Sequence, residues 1–265
     1  MSYAPTKPTF GALGEVGAPG GAPSAAQSGA APEPPYDQHR SFLRMASHEL
    51  RTPLNSIIGF SEIISQELHG PINDPRYKDY AGVIRASGLK LLKLVNQVLE
   101  IARLEAGAGD LNLSPEPAKA GVYAAIRALD AEASVRSIQC EPTIDPATPL
   151  VMVDVRGLQT ILTNLIQNAI TFSPEGGEVE VDVRPAGAFV ALSVTDHGEG
   201  MPETDIPRML QPFVQGENAL TRRGEGAGLG LSLVKLLCTE MGGVLKIRTA
   251  PGQGMTATVL LPAAP

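Results

Sequence analysis

Between Asp37 and about Leu68, apolar residues recur at steps of three and four: Leu43, Ala46, Leu50, Ile57, Phe60 and Ile64. A second run with the same spacing follows: Tyr80, Ile84, Ser87, Leu91, Leu94, Val98 and Ile101. That period puts each set on one stripe of a helix. Between the runs lies Gly70-Pro71-Ile72-Asn73-Asp74-Pro75, a breaker that no helix crosses. Two long amphipathic helices joined by a short loop predict an antiparallel hairpin. One hairpin leaves an apolar stripe uncovered. Pairing with a second copy into a four-helix bundle covers it, so a homodimer is expected. Pro53 lies inside the first pattern and should bend that helix and free a carbonyl.

The texture changes beyond the hairpin, which spans 36–107. Ala106-Gly107-Ala108-Gly109 ends the second helix, and Pro115 and Pro117 mark a linker over 108–118. Over 119–265, helices are expected at Val122 to Ala133, Val155 to Phe172 and Leu229 to Met241. Strands are expected at Leu150 to Val153, Glu178 to Val183, Phe189 to Thr195, Val244 to Thr249 and Thr256 to Leu261. Strand runs mixed with helices and separated by short turns predict helices on one face of a mixed sheet. The fold class is therefore α+β: a long helical hairpin followed by an α/β sandwich. Residues 1–35, rich in Ala, Gly, Pro and Ser, cannot bury enough surface to offset their chain entropy and are read as disordered.

Composition removes several functions. The net charge of −7 over 265 residues gives no electrostatic footprint for nucleic acid or an anionic membrane. No uninterrupted apolar run approaches the roughly 18 residues of a spanning helix, and no signal peptide is seen. Cys140 and Cys238 have neither metal-ligand nor disulfide spacing, and a cytoplasmic location is expected.

Two motifs carry chemistry. Ser47-His48-Glu49-Leu50-Arg51-Thr52-Pro53-Leu54 places an imidazole outside the apolar series, beside a carboxylate, with the Thr52 hydroxyl one turn along. A neutral ring nitrogen can attack phosphorus while the other nitrogen holds its proton, and Glu49 can accept that second proton. Far downstream, Gly226, Gly228 and Gly230 lead into a helix whose N-terminal amides favour phosphate. Asp196 follows a strand, and Gly198 and Gly200 permit close backbone approach. That arrangement suits a carboxylate accepting from an adenine amino group. Asn164 and Asn168, four residues apart, share one helix face. A reactive imidazole and a separate nucleotide pocket together imply that phosphate moves between them.

These segments resemble the signature boxes of sensor histidine kinases. Ser47–Leu54 is similar to the phosphoacceptor box, and Asn164-Leu165-Ile166-Gln167-Asn168-Ala169 to the N box. Asp196-His197-Gly198-Glu199-Gly200 resembles the first glycine box, Pro212-Phe213 the F box, and Gly226-Ala227-Gly228-Leu229-Gly230-Leu231 the second glycine box. The similarity spans about 37–262. Around Gly70-Pro71 and Arg76-Tyr77-Lys78-Asp79-Tyr80 it is greatest to alphaproteobacterial cell-cycle kinases of the PleC and DivJ type. The resemblance implies ATP and Mg²⁺ as cofactors, His48 as phosphoacceptor, and a response-regulator receiver domain as partner. It makes Thr52 the residue that orients a hydrolytic water, and Asn168 a Mg²⁺ ligand with Asn164 close to the ion. Phe213, Leu229 and the cations Arg222 and Arg223 complete the expected nucleotide surroundings.

Gyrase and the Hsp90 chaperones share that ATP-binding fold but carry a Glu at the position of Asn164, where it activates water. Asn cannot serve as that base, which leaves His48 as the productive acceptor. Two positions depart from the family pattern: Thr171 stands where a Lys is frequent, and Gln215 where an Arg is frequent. Both remove positive charge from a polyphosphate site. The leading expectation is a dimeric protein-histidine kinase with accompanying phosphatase activity. The alternative is a phosphatase-dominant or weakly active kinase-like ATP-binding module.

Overall fold

The computed structural model describes residues 54–68, 70–73, 75–107, 110–214 and 228–265. The first described helix, α1, runs over residues 54–65, and α2 over Arg76–Glu105. They are antiparallel. Glu67 pairs with Lys78 at 3.2 Å and Glu62 with Arg85 at 3.6 Å, and Ile58 packs on Gly88 so closely that a Cβ there would lie 2.8 Å from Ile58 Cγ1. Partner numbers rise on α2 as they fall on α1, which is the register of a hairpin. Ile58 and Ile57 meet α2 at Gly88, and Leu54 and Ser61 are buried on α1. Ile57, Phe60 and Ile64, the second half of the apolar series, stay exposed in the single chain, as do Tyr80, Val83 and Ile84.

Glu67 turns the chain with a positive φ of 53°, and its carboxylate accepts the Ile72 amide at 3.0 Å. The Ile72 amide and Lys78 together hold this carboxyl below its ordinary range. Toward its C-terminal end α2 changes neighbours. Ile101 and Leu104 are buried in the core of the α/β sandwich, and Leu94 and Val98 pack against that core.

The sandwich consists of α3 (Ala118–Val135), α4 (Val155–Phe172) and α6 (Gly230–Glu240) on one face of a five-stranded mixed sheet. Its strands are β2 (Gln139–Ile144), β4 (Glu178–Ala186), β5 (Phe189–Asp196), β6 (Val244–Thr249) and β7 (Met255–Pro262), in the order β2-β4-β5-β7-β6. Only β2 and β4 are parallel in this sheet. A second, two-stranded ribbon pairs β1 (Ser114–Glu116) with β3 (Val151–Val153). A short helix, α5 (Ile206–Met209), follows the 3₁₀ turn Glu203–Asp205.

The helix α4 shows why these residues fold this way. Asp154 caps it, accepting the Gly157 amide at 2.8 Å through one carboxylate oxygen and the Asn112 amide at 3.1 Å through the other. Leu158, Ile161, Leu162, Leu165, Ile166 and Ala169 are all buried, as their spacing predicts. In β4 the alternation is equally plain: Val179, Val181 and Val183 face the helices, while Glu178 and Glu180 face away.

Two strands were not anticipated. Ser114–Glu116, in the stretch expected to act as a linker, adds to β3 despite Pro115. Gln139–Ile144 contains Pro142 and charged Glu141, yet it forms the edge strand β2. Proline is tolerated there because an edge strand needs a partner on one side only. Among the described residues no helix is long and apolar enough to cross a membrane.

Candidate functional site

The floor of the site is Asp196, the last residue of β5, with only 2% of its surface exposed. Burial pushes its carboxyl above the ordinary carboxylate range, opposed by hydrogen bonds from the Gly198 and Met255 amides and by nearby His197. The Gly198 amide lies 2.9 Å from Oδ1. A Cβ at Gly198 would meet the Phe172 carbonyl, and one at Gly200, whose φ is +57°, would meet the Ala250 carbonyl. These glycines are therefore required by backbone contact, independently of any ligand.

The structure adds residues that the sequence reading missed. Gly254, with φ of +69°, sits against the Asp196 carbonyl. Thr249 is buried, donates to the Gly254 carbonyl at 2.8 Å and accepts the Met201 amide at 3.0 Å. Together they lock the β6–β7 turn under the segment that carries Gly198 and Gly200. The glycine pair in Pro251-Gly252-Gln253-Gly254 was the available signal.

The two asparagines stand on α4 beside the N-terminus of α6. A Cβ at Gly230 would lie 3.1 Å from Asn164 Oδ1 and 3.7 Å from Asn168 Nδ2. The first residue of α6 is thus a cradle against both carboxamides, at the end of a helix that favours anions. Asn164 Nδ2 donates to the Thr160 carbonyl at 2.8 Å, which fixes the direction of its oxygen. Leu229 precedes α6, is buried, and accepts the Ser232 hydroxyl on its carbonyl at 2.9 Å. Thr171 turns its hydroxyl back to the Gln167 carbonyl at 2.8 Å and offers the site no charge.

Phe213, 62% exposed and at φ of 65°, donates its amide to the Gly228 carbonyl at 3.1 Å. Gly228 has φ of +69°, and a Cβ on it would press on the Phe213–Val214 backbone. The F box and the second glycine box therefore meet at one point. Arg222, Arg223, Gly226 and Gln215 lie outside the described residues, as do His48, Glu49 and Thr52. His197 is half-exposed, with Nε2 3.0 Å from Glu180 Oε1 on the outer face of the sheet. Cys238 is a core residue of α6 whose thiol burial pushes up to about 12, so it is chemically quiet at neutral pH.

A buried carboxylate with glycine-permitted access fits an adenine amino group. Two carboxamides facing a helix N-terminus across a residue without a side chain fit a polyphosphate with a hard cation. The donors present therefore suit ATP and Mg²⁺.

Comparison with known proteins identifies two domains in this chain. Residues 38–107 match the His Kinase A (phospho-acceptor) domain. Residues 153–265 match the family of histidine kinase-, DNA gyrase B- and HSP90-like ATPases. A sensor-like histidine kinase of Rhizobium meliloti is 39% identical over 238 residues, covering 90% of this chain and 45% of that protein. The non-motile and phage-resistance protein of Caulobacter vibrioides is 40% identical over 226 residues, covering 83% of this chain and 27% of that protein. Histidine protein kinase DivJ of the same organism is 38% identical over 221 residues, covering 83% of this chain and 37% of DivJ. The chain thus spans less than half the length of each of these relatives. The crystal structure of full-length ShkA in complex with AMPPNP superposes with a TM-score of 0.72 at 30% identity, over 84% of this chain and 46% of that one.

Proposed function

This chain belongs to the histidine kinase family, and we propose that it autophosphorylates His48 from ATP and passes the phosphoryl group to an aspartate of a response-regulator receiver domain. The observation that carries this reading is the pairing of Asn164 and Asn168 with Gly230 at the N-terminus of α6, in a chain that also contains a phospho-acceptor domain.

In this mechanism Asp196 accepts the adenine amino group and selects the base. The α6 amides and the two carboxamides hold the phosphates, with Asn168 as the protein ligand of the metal. Asn168 would hold Mg²⁺, which would supply charge neutralisation for the phosphates. A neutral His48 nitrogen forms a bond to the γ-phosphorus as the bond to the bridging oxygen breaks and ADP leaves. Glu49 accepts the proton on the opposite ring nitrogen. Asn164 cannot take a proton from water, so wasteful hydrolysis of ATP is slow. Thr52 orients the water that removes phosphate from the partner regulator, and a second copy of the chain covers Ile57, Phe60 and Ile64.

The test is labelling with γ-phosphate-labelled ATP. The expected product is acid-labile and alkali-stable, as phosphohistidine is, and disappears in His48→Ala while nucleotide binding persists. Label retained by His48→Ala would place the acceptor elsewhere. Thr52→Ala should slow regulator dephosphorylation more than it slows labelling of His48; the reverse ranking would remove Thr52 from the phosphatase step.

A further inference from the structure

The side chains that α4 presents around the phosphate site carry no formal charge: Asn164, Gln167, Asn168 and Thr171 are all neutral. ATP with one divalent cation retains about two negative charges, which a kinase site must stabilise as they redistribute. The positive charge reaches this face from another element. Lys93 of α2 donates Nζ to Gln167 Oε1 at 2.7 Å, and Gln97, one helical turn along, directs Nε2 to Asn164 Oδ1 at 3.4 Å. Gln167 immediately precedes Asn168. Its other end donates Nε2 to Glu132 Oε2 on α3 at 3.0 Å, which orients the carboxamide with its oxygen toward the ammonium.

We propose that Lys93 is a positioning residue for phosphoryl transfer, through which the hairpin helix supplies the N box with the positive charge that Thr171 does not provide. The inference rests on the kinase reading above. Lys93 acts through Gln167 and the adjoining Asn168, fixing the α4 face with the ammonium on its α2 side and the Glu132 carboxylate on its α3 side. Its ammonium is an exposed point charge on a flexible stem, so the contact is made only while α2 stays packed on α6, beside α4. Charge and hairpin then arrive together. A kinase that carried the cation on α4 itself would have it in every arrangement of the two domains.

The experiment compares full-length chains in single-turnover labelling at saturating Mg²⁺–ATP, with nucleotide affinity measured in parallel. Lys93→Met should lower the labelling rate at least tenfold while shifting nucleotide affinity less than threefold. Lys93→Arg should keep most of the rate. Thr171→Lys should restore the Lys93→Met chain at least fivefold. A merely structural clamp between α2 and α4 would not be rescued by a lysine placed on α4. An unchanged rate in Lys93→Met, or a loss that Thr171→Lys does not repair in a protein that still binds nucleotide, overturns the inference. A native chain that labels no histidine sinks the kinase reading itself, and this inference with it.

Discussion

Gly254 lies against the carbonyl of Asp196 so closely that a methyl group on it would overlap that oxygen. Gly254 also has φ of +69°, whereas Gly230 has an ordinary helical backbone and its added Cβ would meet a side-chain atom, Asn164 Oδ1, at 3.1 Å. The two glycines should therefore fail differently. Gly254→Ala combines backbone overlap with a left-handed conformation and should cost about 1–3 kcal/mol of stability. Gly230→Ala should leave thermal unfolding nearly unchanged but weaken nucleotide binding by crowding the carboxamides. Thermal unfolding and nucleotide titration of both variants check this. Equal loss of stability in the two would contradict the cradle.

Asp196 gives a pH prediction with a definite sign. Its folded-state carboxyl is raised, chiefly by burial, so the native nucleotide-free protein holds a proton that the unfolded chain has released. Between the ordinary Asp value and the raised one, this residue's contribution to stability therefore falls as pH rises. Adenine donates to the ionised form, so affinity should move oppositely and decline as pH falls through the raised value. Asp196→Asn should keep or gain stability without nucleotide, lose adenine recognition, and remove both dependences. Calorimetric titrations across pH 4 to 8 read all three. A pH-independent affinity would remove the carboxylate from base recognition.

Arg136 gathers carbonyls at the C-terminal end of α4. Its guanidinium donates to the carbonyls of Ile170, Thr171 and Ser173, the last at 2.8 Å. A cation there also suits the negative end of the helix. Arg136→Ala should destabilise the fold by about 1–3 kcal/mol, and Arg136→Lys should recover only part, because one ammonium cannot span three acceptors. Denaturant unfolding measures both. Full recovery by Lys would mean that charge alone matters.

Phe60 is 67% exposed in the single chain. If a second copy covers this residue, Phe60→Asp should shift the protein toward monomers and lower labelling of His48, while the ATP-binding domain keeps its nucleotide affinity. Sedimentation at several concentrations decides it. A Phe60→Asp protein that remains dimeric would place the interface elsewhere.

Much of this was legible from local pattern. The bounds of α4 and β6 follow from periodicity, and the breaker at Gly70-Pro71 separates α1 from α2, because amphipathic spacing and turn chemistry are written in consecutive residues. Asn164, Asn168, Asp196, Gly198, Gly200, Gly228 and Gly230 could be picked out as candidates for the same reason, as short motifs on recognisable elements. The edge strand β2 was not, since a chain containing Pro142 and Glu141 becomes a strand only because β4 lies beside it.

The sequence alone determined which groups are present: a histidine beside a carboxylate, paired carboxamides, an acid followed by glycines, and no cation at Thr171. Tertiary structure decided what those groups face. Only folding brings Gly254 under Asp196, sets Gly230 against Asn164, and carries Lys93 from the hairpin to Gln167, 74 residues away along the chain. The physical reason is that spacing along a helix or strand reports one element's own face, whereas contacts between elements depend on how those faces pack.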